Sequence, residues 1–224
     1  MGGAALCSEA RSGFTQMGIE RIGASWLRRA LSKTPFPRLD LRWEEIDGHR
    51  GRMSAVLVPL FPREEELFLL LVERSDSLKR HPGQVAFPGG AREKLDRGPV
   101  ETALREFTEE TGIPAERVEV VGALREVRVY SSGFTIFPVV GYLSSGVAHG
   151  DLSLDGNEVK RVLEVPLKQL ERPPRMENPS GGGQDCLFPV YRLDGGATLW
   201  GASARIVLDL TRSLRESKGG TGCP

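Results

Sequence analysis

The chain concentrates oxygen ligands in one place. Arg105-Glu106-Phe107-Thr108-Glu109-Glu110 stands between Pro99 and Gly112, shortly after Phe87-Pro88-Gly89-Gly90. Pro99 suits a first helical position, where its missing N–H would be unpaired anyway. Gly112-Ile113-Pro114 is a stop signal. Between them Val100, Ala103, Leu104, Phe107 and Thr111 recur at helical spacing as one core-facing stripe. At roughly 100° per residue, Glu110 falls about 20° from Ala103, with Glu106 on the same flank. Both carboxylates therefore border the buried stripe. Ionised carboxylates in that position need a cation or hydrogen bonds, and a hard cation such as Mg²⁺ takes oxygen ligands that it shares with phosphates. Glu109, one turn after Arg105, is placed for an i,i+4 ion pair. The chemistry predicted is metal-assisted handling of a pyrophosphate behind a glycine turn. A solvated charged helix face is the plain alternative.

The order of these residues resembles the Nudix box, Gly-x5-Glu-x7-Arg-Glu-U-x-Glu-Glu-x-Gly-U, where U is a bulky apolar residue. Gly90, Arg105, Glu106, Phe107, Glu109, Glu110, Gly112 and Ile113 match it. Asp96 stands where the first Glu belongs, and its gap to Arg105 is one residue longer; this concerns a peripheral carboxylate and the loop. The same departure is similar to the coenzyme A pyrophosphatase branch of the family. Upstream, Leu70 through Gly90 resembles that branch's second pattern, LLTxR[SA]xxxRxxxGxxxFPGG, with Val72 replacing the Thr and Lys79 replacing the Arg, beside Arg80. Lysine keeps the charge but loses the bidentate fork. Further matches lie at Ser132-Gly133-Phe134, Asn157-Glu158-Val159 and Leu199-Trp200-Gly201, so the resemblance spans about residues 50 to 215.

The resemblance implies an α/β/α sandwich with a mixed β-sheet. It also implies hydrolysis of a nucleoside diphosphate linked to another group: coenzyme A, split into phosphopantetheine and adenosine 3′,5′-bisphosphate. ADP-ribose, NADH or a nucleoside triphosphate is the alternative substrate. A noncatalytic nucleotide-sensing module is the alternative of another class. The implied cofactor is Mg²⁺ or Mn²⁺, with Glu106 and Glu110 as principal ligands, Glu109 as a third and a backbone carbonyl from the Gly90 turn. Arg105 is expected to orient Glu109. The general base is left open between Glu106, Glu109 and Glu158, the last serving equally well as a cap or ion-pair partner near a strand end. Arg74, Lys79, Arg80 and His81 form a basic cluster leading into Gly89-Gly90. Contact with a 3′-phosphate or the pyrophosphate is its expected role, an ordinary charged loop the alternative, and His81 is read as structural.

Behind this site the elements follow from pattern. Ile19–Ser32 reads as a helix, Ser54–Phe61 and Leu67–Arg74 as strands around a turn at Pro62–Glu65, and Val85–Phe87 as a short strand. Val118–Arg128 and Phe134–Leu143 form a hairpin around Tyr130–Gly133, followed by a strand over Val159–Val165. Arg172–Gln184 is a loop rich in Pro, Gly and Ser, read either as a cover for the site or as a passive linker. A hairpin at Leu187–Leu199 and a helix over Ala202–Arg215 close a single domain over 18–216, between a loosely ordered start at 1–17 and a disordered tail at 217–224.

At 224 residues a single domain can bury a substantial core. Lys+Arg and Asp+Glu are equal at 30 each, which argues against nucleic acid or a membrane surface held by bulk charge. A small phosphorylated nucleotide suits the local basic cluster better. Cys7, Cys186 and Cys223 are too scattered for a zinc site or disulfide framework, so a reducing, cytoplasmic location is expected. A cleaved organellar presequence is the alternative. No apolar run reaches the roughly 18 residues of a membrane span. Members of the family are often dimers; a homodimer is open, with no sequence feature that sets an interface.

Overall fold

Two apolar strands begin the sheet. In Arg52–Arg63 (β1) and Glu66–Arg74 (β2), Leu57, Val58, Leu60, Phe61 and Leu69 through Val72 are all buried. A strand covered on both faces reads as such a continuous apolar run. The computed structural model describes residues 23–32, 39–46, 51–64, 66–78, 81–177 and 187–219. The expected disorder at 1–17 lies outside these residues, as do most of the 172–184 loop's tip and the last five residues of the chain.

β1 changes partners along its length. Its second half pairs antiparallel with β2, Leu60 opposite Leu69 and Arg63 opposite Glu66. Its first half pairs with Gly89–Ala91 (β4), Ala55 opposite Gly90. Val85–Ala86 (β3) pairs with the far end of β2. On its other side β1 runs parallel to Phe134–Tyr142 (β7), which pairs antiparallel with Glu119–Ala123 (β5) and Val127–Val129 (β6). Val159–Pro166 (β8) lies antiparallel to β2. The result is a mixed eight-stranded sheet.

Alternation along each strand sorts the core into two layers. Ala55, Leu57, Leu70, Val72, Phe137 and Val139 pack with Ala103 and Phe107 of Pro99–Thr111 (α2) and with Trp43. Val58, Leu60, Leu69, Leu71 and Val140 pack with Leu27 of Ala24–Leu31 (α1), with the short helix Leu167–Leu170 (α3) and with Val207 and Leu210 of Gly201–Gly219 (α4). Helices thus cover both faces, as the α/β/α sandwich expected from the sequence requires. Phe107 is fully buried, and truncating such a ring to Ala costs about 3–5 kcal/mol. A second, three-stranded sheet, Arg175–Glu177 (β9), Phe188–Arg192 (β10) and Thr198–Trp200 (β11), lies against α4. Among the described residues no helix is long and apolar enough to cross a membrane.

Several boundaries differ from expectation. The glycine pair is not a turn but a strand, because Val56 and Ala55 offer it partners. Val118–Arg128 breaks into β5 and β6, with Leu124 donating its N–H to the Pro138 carbonyl between them. Part of the Pro-rich segment is β9, recruited by β10. The last helix starts at Gly201 and runs to Gly219, into the expected tail.

Candidate functional site

α2 starts with Pro99 in its first turn and ends on Gly112 at φ 77, a left-handed position that favours glycine. A Cβ at Gly112 would lie 2.7 Å from the Ser153 nitrogen, whose N–H donates to the Thr111 carbonyl. The helix end is therefore fixed, and with it the rotation that turns Glu106 and Glu110 toward β4.

Both carboxylates lie against the glycine pair. The Gly89 N–H donates to Glu110 Oε2 at 3.1 Å. A Cβ on Gly90 would stand 2.3 to 2.5 Å from the Glu106 carboxyl atoms, so only glycine leaves room for that side chain. Glu110 is 3% exposed. Burial pushes its carboxyl up to about 8, against the opposing pull of the Gly89 N–H and Arg74. Glu106 is also raised by burial, with Arg105 pulling the other way. The negative charge of Glu158 adds to the upward push on both, which places this exposed loop residue in their field. Arg74, at the end of β2, comes within 3.8 Å of Glu110. Lys79 and Arg80 lie outside the described residues, and His81 sits in the following loop at φ 55.

Arg105 is fully occupied within the protein. Nε and Nη2 grip Asp96 at 3.2 and 3.1 Å, Nη1 donates to Glu106 and Glu109 at 3.0 and 2.9 Å, and Nη2 also reaches the Ala91 carbonyl at 3.1 Å. A guanidinium has five N–H donors, so none is left over for a substrate. Asp96 is more than peripheral. It is buried and accepts from the Glu93 N–H and the Thr102 hydroxyl as well. Burial pushes its carboxyl up, but Arg105 and these donors outweigh it and hold it below the usual range. Trp43 Nε1 completes the chain by donating to Thr102 at 3.1 Å.

The expected trio of metal ligands is only partly gathered. Glu106 and Glu110 share the glycine cradle, while Glu109, with its side chain 57% exposed, is drawn aside by Arg105. Among the described residues no group of three or more His, Cys, Asp or Glu side chains is assembled as a ligand set. The residues nevertheless fit a hard cation: the donors are carboxylate oxygens, Glu110 buried with its nearest guanidinium only at 3.8 Å and Glu106 half-buried beside it, next to backbone with no side chain in the way.

A mixed sheet between helices, with an acidic helix aiming two carboxylates at a glycine strand, makes this an α/β protein whose oxygen donors suit a hard cation. The NUDIX domain profile matches residues 51–182, and the chain belongs to the Nudix family. The uncharacterized Nudix hydrolase NudL of Yersinia enterocolitica is 37% identical over 165 residues, covering 72% of this chain and 80% of that protein. NudL of Pectobacterium atrosepticum is 45% identical over 121 residues, 54% of this chain and 60% of that one. The peroxisomal coenzyme A diphosphatase NUDT7 of Mus musculus is 42% identical over 137 residues, 59% of this chain and 56% of that protein. The chain thus spans less than two thirds of the Pectobacterium and mouse proteins.

Of the residues singled out in the sequence, the structure brings Glu106, Glu110, Arg105, Arg74, Gly89 and Gly90 together and leaves Glu109 to the side. The sequence did not show the Trp43–Thr102–Asp96 support, because Trp43 lies 59 residues before Thr102 and only the fold brings them together. Nor did the sequence show Glu73, a buried acid on β2 held by Arg161 at 2.6 Å and Lys160 at 3.2 Å.

Proposed function

We propose that this protein is a divalent-metal-dependent pyrophosphohydrolase that cuts the diphosphate of coenzyme A or its thioesters, releasing (acyl-)phosphopantetheine and adenosine 3′,5′-bisphosphate. The observation that carries the proposal is the pair Glu110, buried, and Glu106, half-buried, set against Gly89-Gly90 where a cation would relieve their charge. Two features favour coenzyme A over other nucleotides. One is the Leu70–Gly90 pattern; the other is the identity to a mouse coenzyme A diphosphatase.

Glu106 and Glu110 would hold Mg²⁺ or Mn²⁺, with the Gly90 carbonyl as a further oxygen. Such an ion neutralises diphosphate oxygens and lowers the pKa of a bound water. Arg105 positions Glu106 and Glu109 without touching substrate. Arg74, within 3.8 Å of Glu110, would supply a guanidinium to a diphosphate oxygen. The proton of the attacking water goes to a carboxylate, Glu158 from its loop or Glu106 or Glu109 from the helix.

The deciding experiment is a panel of coenzyme A, acetyl-coenzyme A, ADP-ribose and NADH with Mg²⁺ or Mn²⁺, with products identified by mass spectrometry. Adenosine 3′,5′-bisphosphate as the main product supports the reading. Preference for ADP-ribose or NADH moves the substrate elsewhere, and silence on the whole panel favours a sensing module.

A further inference from the structure

Successive residues of a strand face opposite sides of its sheet. At the end of β2, Arg74 turns to Glu110 on the α2 face. Glu73 turns the other way, into the wall of a cavity of about 510 Å³, within the range of small-molecule sites. The loop from His81 to Val85, Arg161 of β8 and the β10–β11 hairpin from Gly195 to Trp200 close it.

Its walls carry specific chemistry. Arg161 Nε donates to Glu73 at 2.6 Å, which anchors the guanidinium at the cavity wall with its Nη edge as the remaining donors. That edge matches a phosphate in two-point geometry. Glu73 is balanced rather than repulsive: burial pushes its carboxyl up, but Arg161 and Lys160 hold it below the usual range. Trp200 is half-buried and steadied by Phe188, ring centroids 6.5 Å apart and nearly perpendicular, a fixed surface on which a purine can stack. Gln84 and His81 add polar groups. These walls suit a base bearing a phosphomonoester and not an acyl chain.

The cavity is joined to the carboxylates through one residue. The Arg74 N–H donates to the Gln84 carbonyl at 3.0 Å, and the Gly83 N–H donates back to the Arg74 carbonyl at 3.2 Å. The rim loop therefore hangs on the residue whose side chain meets Glu110. We infer that this cavity takes the 3′-phosphorylated adenosine half of the substrate, with the purine on Trp200 and the phosphomonoester on Arg161. The inference rests on the coenzyme A reading and assigns its adenine end to the sheet face opposite α2.

The test uses the full chain and two variants. Trp200→Ala removes the stacking surface. Arg161→Lys keeps a cation beside Glu73, so the fold is spared, but removes the fork. Calorimetry in EDTA compares adenosine 3′,5′-bisphosphate with AMP, and steady-state kinetics compare coenzyme A with dephospho-coenzyme A. The wild type should prefer the bisphosphate about tenfold. Trp200→Ala should weaken both nucleotides about tenfold. Arg161→Lys should abolish the preference and raise KM for coenzyme A more than it lowers kcat, with little change in KM for dephospho-coenzyme A. Wild-type protein that ignores the bisphosphate, or folded variants that bind it unchanged, would overturn the assignment. Coenzyme A left uncut while the bisphosphate still binds through Trp200 and Arg161 would instead remove the substrate reading and leave the cavity standing.

Discussion

Replacing Gly90 with Ala separates the site from the fold. Gly90 is not among the glycines with positive φ, so its backbone accepts a side chain, and leaving glycine stabilises by about 0.4–1 kcal/mol through the unfolded chain. The new Cβ would meet the Glu106 carboxyl atoms at 2.3 to 2.5 Å. Ordinary contact needs more than 3.4 Å, so the carboxylate must retreat by about 1 Å, and a displacement of that size costs on the order of 10²-fold in turnover. The colliding atoms are the end of a flexible side chain, so stability should stay within about 1 kcal/mol of wild type. Gly89→Ala is the counter-case. Its Cβ meets Ala55 O at 2.5 Å and Val56 Cα at 2.6 Å, which are backbone and cannot yield, so β4 should peel from β1 at a cost of about 2–4 kcal/mol. The assay is Mn²⁺ titration by calorimetry, kcat on coenzyme A, and Tm for each variant. Gly90→Ala with wild-type Mn²⁺ affinity and turnover would refute the cradle, as would a loss of Tm equal to that of Gly89→Ala.

Glu110 should make the metal-free protein sensitive to base. Its carboxyl rises from 4.5 to about 8 on folding, so the folded state holds a proton that the unfolded chain releases. That stabilisation is complete below about pH 4.5 and is lost as pH rises through 8. Glu110→Gln should flatten the slope in urea melts in EDTA and raise stability above pH 8 by on the order of a few kcal/mol, while lowering kcat by orders of magnitude. Saturating Mn²⁺ at about 100 times Kd should stabilise the wild type by about 2.7 kcal/mol and Glu110→Gln far less, read as a Tm difference with and without EDTA. Asp96→Ala strips Arg105 of its two-point partner and should cost about 2–4 kcal/mol in denaturant melts; an exposed, dispensable Asp96 would give less than half that. Trp43→Phe keeps the edge contact with Phe137 but drops the bond to Thr102, and should cost about 1 kcal/mol.

What could be read from the sequence was local. The bounds of α2 follow from Pro99 and Gly112, and the burial of Glu110 follows from its return to the Ala103 azimuth after seven residues. The Arg105–Glu109 pair follows from one helical turn. The pairing of Gly89-Gly90 with β1 was invisible, because its partners Ala55 and Val56 lie some thirty residues earlier and nothing in a glycine pair distinguishes strand from turn. Asp96 looked peripheral for the same reason: Trp43 and the approach of the preceding loop are needed to bury it. β9 escaped notice in a segment rich in breakers, since it exists only by recruitment to β10. Trp200 and Arg161 belong to elements whose neighbours are decided by tertiary packing.

The exchange of neighbours along β1 has a mechanical consequence. One continuous backbone fixes both the Leu60–Leu69 register and the Ala55–Gly90 register. A slip of a single position in the distal hairpin would invert every side chain of β1 and carry the glycine platform out of reach of Glu106. The same slip would turn Leu57, Val58, Leu60 and Phe61 out of their core layers, so an extra residue at that bend is tolerated only where it loops out of the strand, and a lost register would show in thermal melts as soon as in turnover.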